Sequence, residues 1–249
     1  MTSTTSPNYR EYEFHEDSHD IRRVVNPFGL TDLPALLRQM YDTGAILAGG
    51  VAMNLCYAQI HPERGTVVHA DSDLDFWVAD PTPSPSHARR VYYRLICDRW
   101  DRFLLEAAGY EPYYPSRTES YTEDDEDGGF LSDSGIRLRV RHYRRPDPSH
   151  SHIQLIFYNA TLTDQFPATT LVSRFDLSIC RCLVFASAVN RRWIARTFAY
   201  RSLQEEVIAT LGDSLTPRTE ERVMRYLARY PHFTWYSRAR EPTSISASG

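Results

Sequence analysis

Leu33, Leu36, Leu37 and Met40 recur at helical spacing behind Thr31-Asp32-Leu33-Pro34. This predicts a helix capped by Thr31 or Asp32, with Pro34 in its first turn and Gly44 as its stop. The pattern then changes. Ala45-Ile46-Leu47-Ala48 is a continuous apolar run of strand length, Gly49-Gly50 a tight turn, and residues 51–60 a second helix. From Asp71 to Val78 the chain alternates polar and apolar before becoming fully apolar, as a strand entering a core does, and Pro81, Pro83 and Pro85 end it. Ser86 caps a long helix reaching Gly109, with Val91, Leu95, Ile96, Trp100, Phe103, Leu104 and Ala107 near helical period.

Ile136 to Arg141 alternates strictly, which puts Arg137, Arg139 and Arg141 on one strand face, either solvated or a phosphate-binding stripe. Residues 153–158 and 177–185 read as strands, with a short helix over 167–173 between them and a returning strand over 191–198. Helices are expected over 202–211 and 216–230, the second opened by Thr216-Pro217. This order predicts an α/β (α+β) protein, a mixed sheet flanked by helices. The expected organisation is a flexible polar arm over 1–20, a main domain over 21–199, a helical appendix over 200–240 and a frayed tail over 241–249. Within the main domain, residues 119–135 carry Glu119, Glu123, Asp124, Asp125, Glu126 and Asp127 before Gly128-Gly129, expected to form an acidic exposed loop that is either disordered or partner-facing.

Composition narrows the function classes. A chain of 249 residues, 42% hydrophobic and 24% charged, is ordinary globular material and neither coiled coil nor collagen. No stretch approaches 18 apolar residues, so no membrane span is expected, and the polar N-terminus carries no secretory signal. Cys180 and Cys182 lie in an apolar run and read as reduced packing residues, consistent with a cytoplasmic setting. Lys and Arg total 28, and all are Arg. Arginine suits bidentate phosphate contact, although nucleotide bias in the gene explains the substitution equally well. In either case Schiff-base and lysine-clamp chemistry are excluded. The net charge of −4 argues against a non-specific nucleic-acid coat.

The chemistry concentrates in Leu47-Ala48-Gly49-Gly50 and Asp73-Leu74-Asp75. Residues two apart on a strand share a face, so Asp73 and Asp75 point together with Cα atoms about 6–7 Å apart while Leu74 packs inward. Two such carboxylates call for a cation, and Mg²⁺ takes one or two carboxylates together with phosphates and water. The Gly-Gly turn into a helix offers bare N–H groups and a positive helix end to a triphosphate. A third acid would complete a two-metal site for in-line displacement at phosphorus.

These residues resemble the polymerase-beta-like nucleotidyltransferase superfamily, whose signature is an apolar strand, Gly-Gly or Gly-Ser opening a helix, an apolar-flanked Asp-x-Asp strand and a later acid. Weaker similarity runs to a subset found in large viruses and fungi, through Ile153-Gln154-Leu155-Ile156, Phe175-Asp176-Leu177-Ser178-Ile179-Cys180 and Glu221-Arg222-Val223-Met224-Arg225-Tyr226. The resemblance implies a nucleotidyltransferase-like fold, Mg²⁺ (or Mn²⁺) held by Asp73, Asp75 and Asp176, Asp176 helping to activate the acceptor hydroxyl, and Gly49-Gly50 seating the NTP. Gln154, on the competing strand, cannot replace a carboxylate. The chain departs from the pattern in the length of 51–72, in Gly50 where Ser would supply a hydroxyl, and in ending the last helix on Arg229-Tyr230-Pro231.

Two function classes follow. One is an enzyme transferring a nucleoside monophosphate from an NTP to an acceptor hydroxyl, the acceptor being an RNA end, a protein hydroxyl or a small molecule. The other is an inactive nucleotidyltransferase-fold protein acting as a structural or binding module with an assembly partner, for instance on a viral particle, which makes the expected location cytoplasmic or virion-associated.

Overall fold

The fold is taken from a computed structural model, which describes residues 9–65, 68–69, 72–80, 86–113, 130–131, 137–146, 152–159, 167–173, 175–187, 189–210 and 216–236. In chain order the elements are β1 (Arg10–His15), α1 (His19–Val25), α2 (Leu33–Thr43), β2 (Ala45–Ala48), α3 (Gly50–Ile60), β3 (Leu74–Asp80), α4 (Ser86–Ala108), β4 (Glu111–Tyr113) and β5 (Phe130–Leu131). There follow β6 (Arg137–Arg144), β7 (Ile153–Asn159), α5 (Pro167–Ser173), β8 (Cys182–Ser187), β9 (Arg192–Thr197), α6 (Tyr200–Gln204), β10 (Val207–Ala209), α7 (Pro217–Arg229) and β11 (Thr234–Tyr236).

Among the described residues, nine strands form one mixed sheet in the order β1-β9-β8-β2-β3-β7-β6-β4, with β5 beside β6. Only β3 and β7 pair in parallel within it, and their register sets Asp75 opposite Gln154. The expected mixed α/β sheet flanked by helices is the architecture found. Strand alternation divides the core between the two faces. Leu47, Leu74, Phe76 and Val78 join the main core with α1 to α4, whereas Ile46, Ala48 and Trp77 pack on the other face with Leu171 and Val172 of α5. Apolar burial at about 25 cal/mol per Å² makes both faces stabilising. No helix among the described residues is long and apolar enough to cross a membrane.

Three expectations need correction. The arm expected over residues 1–20 is ordered from residue 9: β1 is an edge strand on β9, held by Glu11–Arg196 and Glu13–Arg192 pairs, and α1 buries Ile21, Val24 and Val25. The alternation of β1 is written as Glu11-Tyr12-Glu13-Phe14-His15, with Phe14 buried in the main core, but two apolar positions among charges are a short signal within a polar segment. The strand expected over 177–185 begins only at Cys182, after a single 3-10 turn over Ser178–Cys180. Residues 177–185 are apolar but for Ser178 and Arg181, a pattern that does not reveal such a turn; the Ala209 N–H donating to Ser178 Oγ at 2.9 Å pins it.

The helix expected over 202–211 stops at Gln204. Glu206 adopts a positive φ of 56°, and β10 then pairs in parallel with β11. The segment over 200–240 is therefore not purely helical, and it does not stand apart as an appendix, since Val223, Tyr226, Tyr230 and Phe233 belong to the main core. The tail over 241–249 lies outside the described residues, as does the acidic segment 119–135 apart from the two residues of β5.

Candidate active site

Strand β2 ends at Ala48, and the chain reverses into α3 through Gly49, whose φ of 85° and ψ of −143° suit a residue without a Cβ. No side chain caps the helix that follows, and no acid lies in its first turn. Its leading N–H groups and positive dipole end therefore remain for an anion from outside the helix. A Cβ built on Gly49 would lie 3.6 Å from Asp75 Oδ2, so the carboxylate and the turn are immediate neighbours.

The pairing of β2 with β3 sets Leu47 opposite Phe76, and so carries Asp75 to the end of β2 where the turn begins. Asp73 precedes the strand instead of lying on it. Leu74 anchors the entry through its N–H, which donates to the His152 carbonyl at 3.0 Å, and its side chain is fully buried. Asp73 is exposed and Asp75 half-buried, with Asp75 Oδ1 sealed from solvent and accepting no hydrogen bond. Burial pushes the Asp75 carboxyl up to about 7, the Asp73 charge adds to the rise, and the Arg222 guanidinium opposes it.

Phe175 packs on Trp77 with ring centroids 5.5 Å apart, which brings the segment after α5 to this end of the sheet. Asp176 follows directly, and both of its oxygens are engaged. Oδ1 forms an ion pair with Arg222 Nη1, and Oδ2 accepts from the Thr219 hydroxyl at 3.2 Å. Thr216 caps α7 by accepting from the Thr219 N–H at 3.1 Å, which fixes this turn of the helix. Arg222 Nη2 also reaches Cys180 Sγ at 3.9 Å, and that thiol donates to the Tyr226 hydroxyl at 3.3 Å.

The Tyr226 oxygen stands 3.0 Å from where a Cβ on Gly50 would be. Position 50 is thus glycine because tyrosine from α7 fills the space a serine side chain would need. Thr219, Arg222 and Tyr226 are the residues that sequence reasoning missed as site components. Their i, i+3, i+7 spacing puts them on one helix face, yet that signal is indistinguishable from a core-facing stripe. Cys180 and Cys182 are buried free thiols, as expected of packing residues.

The structure thus brings Asp75 to the Gly49-Gly50 turn, with Asp73 just before it, and holds Asp176 on Arg222. Among the described residues, no group of three or more His, Cys, Asp or Glu side chains is disposed to hold a metal ion.

No protein-family model and no curated protein matches the chain. Among solved structures, it is similar to a CCA-adding enzyme in complex with ATP, at 14% identity and a TM-score of 0.45, over 92% of this chain and 43% of that one. An apo form of CCA-adding enzyme gives 15% identity and a TM-score of 0.46 over 92% and 43%. A tRNA nucleotidyltransferase complexed with a primer tRNA and an incoming ATP analogue gives 17% and 0.38 over 81% and 46%. The chain spans less than half the length of each. The roles of its residues therefore rest on its own geometry.

That geometry fits one hard divalent cation. Asp73 and Asp75 are oxygen donors of the kind Mg²⁺ takes, and Asp75 Oδ1 is a buried acceptor with no hydrogen-bond partner among the described residues. Asp176 contributes no open carboxylate, because Arg222 and Thr219 occupy its two oxygens.

Proposed function

We propose that the chain transfers a nucleoside monophosphate from an NTP to an acceptor hydroxyl with the help of a divalent cation. The observation that carries this reading is the junction of an uncapped helix N-terminus with a half-buried carboxylate that has an oxygen lacking any donor. An anion and a cation bound together answer both needs, and a metal-bound triphosphate is that combination.

In this reading Gly49 and Gly50 present backbone N–H groups to the triphosphate, and the absent Cβ lets phosphate oxygens approach the turn. Asp73 and Asp75 hold the cation, which when bound would polarise the α-phosphate and neutralise charge on the leaving group. The acceptor oxygen forms a bond to the α-phosphorus, the bond from that phosphorus to the bridging oxygen breaks, and pyrophosphate departs. The hydroxyl proton passes to a carboxylate of the site.

A second reading, nucleotide binding without transfer, is favoured by the ion pair that engages Asp176. Incubation with Mg²⁺ or Mn²⁺, labelled NTPs and a panel of RNA ends, protein hydroxyls and small alcohols separates the two. Label transfer that is lost in Asp75→Asn is the expected result. Tight NTP binding with no transfer to any acceptor favours the second reading, and no binding at millimolar NTP excludes both.

A further inference from the structure

In-line transfer at phosphorus is commonly assisted by two divalent cations, one near the attacking and one near the leaving oxygen, and two cations need several shared carboxylates. Asp75 borders the turn, and Asp73 lies two residues before Asp75, its charge acting on the Asp75 carboxyl. The candidate for a third carboxylate, Asp176, is already neutralised by a resident cation, the guanidinium of Arg222. Arg222 is not a loose surface charge. Its helix turn is fixed by the Thr216 cap, Thr219 bonds the same carboxylate, and Nη2 rests against Cys180 Sγ.

The contacts then lead back to the phosphate end of the site. Cys180 bonds Tyr226, and the Tyr226 hydroxyl lies over Gly50, next to the residue whose turn borders Asp75. The guanidinium is therefore linked to the Gly49-Gly50 turn through Cys180 and Tyr226, and it is close enough to Asp75 for its charge to act on that carboxyl. A guanidinium has five N–H donors in a planar fork and keeps its charge at every working pH, which suits it to phosphate oxygens. In a chain without lysine, arginine supplies every fixed side-chain positive charge.

We propose that Arg222 takes the place of a second divalent cation: the site binds one divalent ion, on Asp73 and Asp75, while Arg222, tethered by Asp176, contacts the phosphates. Asp176 is then a positioning residue and not a metal ligand. This rests on the nucleotidyl-transfer reading of the same site.

The test counts ions and measures affinity without turnover. Mn²⁺ bound per chain is read by electron paramagnetic resonance in the presence of α,β-methylene-ATP, and the analogue's affinity is measured by calorimetry for the wild type, Arg222→Gln and Asp176→Asn. One ion per chain is expected in the wild type and in both variants, with affinity falling at least tenfold in Arg222→Gln and by less in Asp176→Asn, where the guanidinium keeps its charge but loses its tether. Two ions per wild-type chain overturn the inference and leave the transfer reading intact. Loss of the bound Mn²⁺ in Asp176→Asn also overturns it, because that is how a metal ligand behaves; this arm and the ion count decide the matter if Arg222→Gln does not fold. If the wild type takes up neither Mn²⁺ nor the analogue, the transfer reading fails and this inference fails with it.

Discussion

Asp101 and Asp75 are both partly buried aspartates against the same sheet, and their surroundings are opposite. Asp101, on α4, receives Arg141 through two bonds, Nε to Oδ1 at 2.8 Å and Nη2 to Oδ2 at 2.5 Å, and the Tyr143 hydroxyl adds a third at 2.9 Å. Every requirement of that carboxylate is met from within the chain, and the result is a clamp between α4 and β6. Asp75 has an oxygen that no group among the described residues addresses, and burial holds its carboxyl up to about 7. A satisfied buried charge joins elements together; an unsatisfied one beside an open helix end waits for a ligand. Asp176 is satisfied like Asp101, by Arg222 and Thr219, and is linked to the turn through α7.

The widest separation is expected from the matched pair of substitutions Asp75→Asn and Asp101→Asn. The first should reduce transfer by about a thousandfold or more, since a charge facing the developing phosphate is lost, and the second should leave transfer by the folded fraction within a few-fold. Stability should respond in the reverse sense. Removing one partner of a buried pair costs about 3–5 kcal/mol, so Asp101→Asn lowers Tm by on the order of 10 °C in a chain this long. Asp75→Asn should raise Tm at pH 8. Equal losses of stability in both variants, measured by thermal melts, would erase the distinction between the two sites.

Next in size is Gly49→Ala. A Cβ at a φ of 85° is strained, and it points to within 3.6 Å of Asp75 Oδ2. The cost should be about 1–3 kcal/mol, with NTP affinity falling at least tenfold; a variant as stable and as tight-binding as the wild type contradicts the turn's assignment.

The pH dependence sharpens the contrast further. Asp75 loses its proton near 7 when folded and near 3.9 when unfolded. Its contribution to stability is therefore fully present below about pH 4, falls as pH rises toward 7 and is constant above. Melts of the metal-free protein should show that downward slope, reduced in Asp75→Asn by on the order of 1–3 kcal/mol between pH 5 and 8. Mn²⁺ affinity should move the other way and strengthen as pH rises through 7, because ion and proton compete for the same oxygens.

The smallest effect is expected at Gly50. Gly50→Ser pushes against the Tyr226 hydroxyl and should cost about 1–2 kcal/mol, relieved when combined with Tyr226→Phe. Failure of the second substitution to relieve the first would show that Tyr226 does not set the residue at position 50.

Much of this was legible in the sequence because the relevant signals are local. Gly49-Gly50 between an apolar strand and a helix needs only backbone rules, and the place of Asp75 on its strand needs only alternation, whereas Asp73, expected on the same strand, precedes it. The partners of Asp176 were not legible, since Arg222 and Thr219 come from a helix more than forty residues later and carry no mark that sets them apart from other α7 positions. For the same reason Arg141, read as part of a solvated or phosphate-binding strand face, is instead bound to Asp101 on α4. Edge strand β1 carries only two apolar positions, Tyr12 and Phe14, among charged ones, and the 3-10 turn at Ser178–Cys180 is set by a contact from Ala209, far along the chain. Local chemistry survives in sequence, whereas pairings across the fold do not.

The most direct measurement is a calorimetric titration of ATP with Mn²⁺ at pH 7.5 into the folded wild type and into Asp75→Asn. Binding of triphosphate and cation together in the wild type, weakened at least tenfold in Asp75→Asn with its melt intact, is the predicted result. Absence of binding to the wild type at millimolar ATP, or equal binding by both proteins, would contradict a nucleotide and cation site at Gly49, Gly50, Asp73 and Asp75.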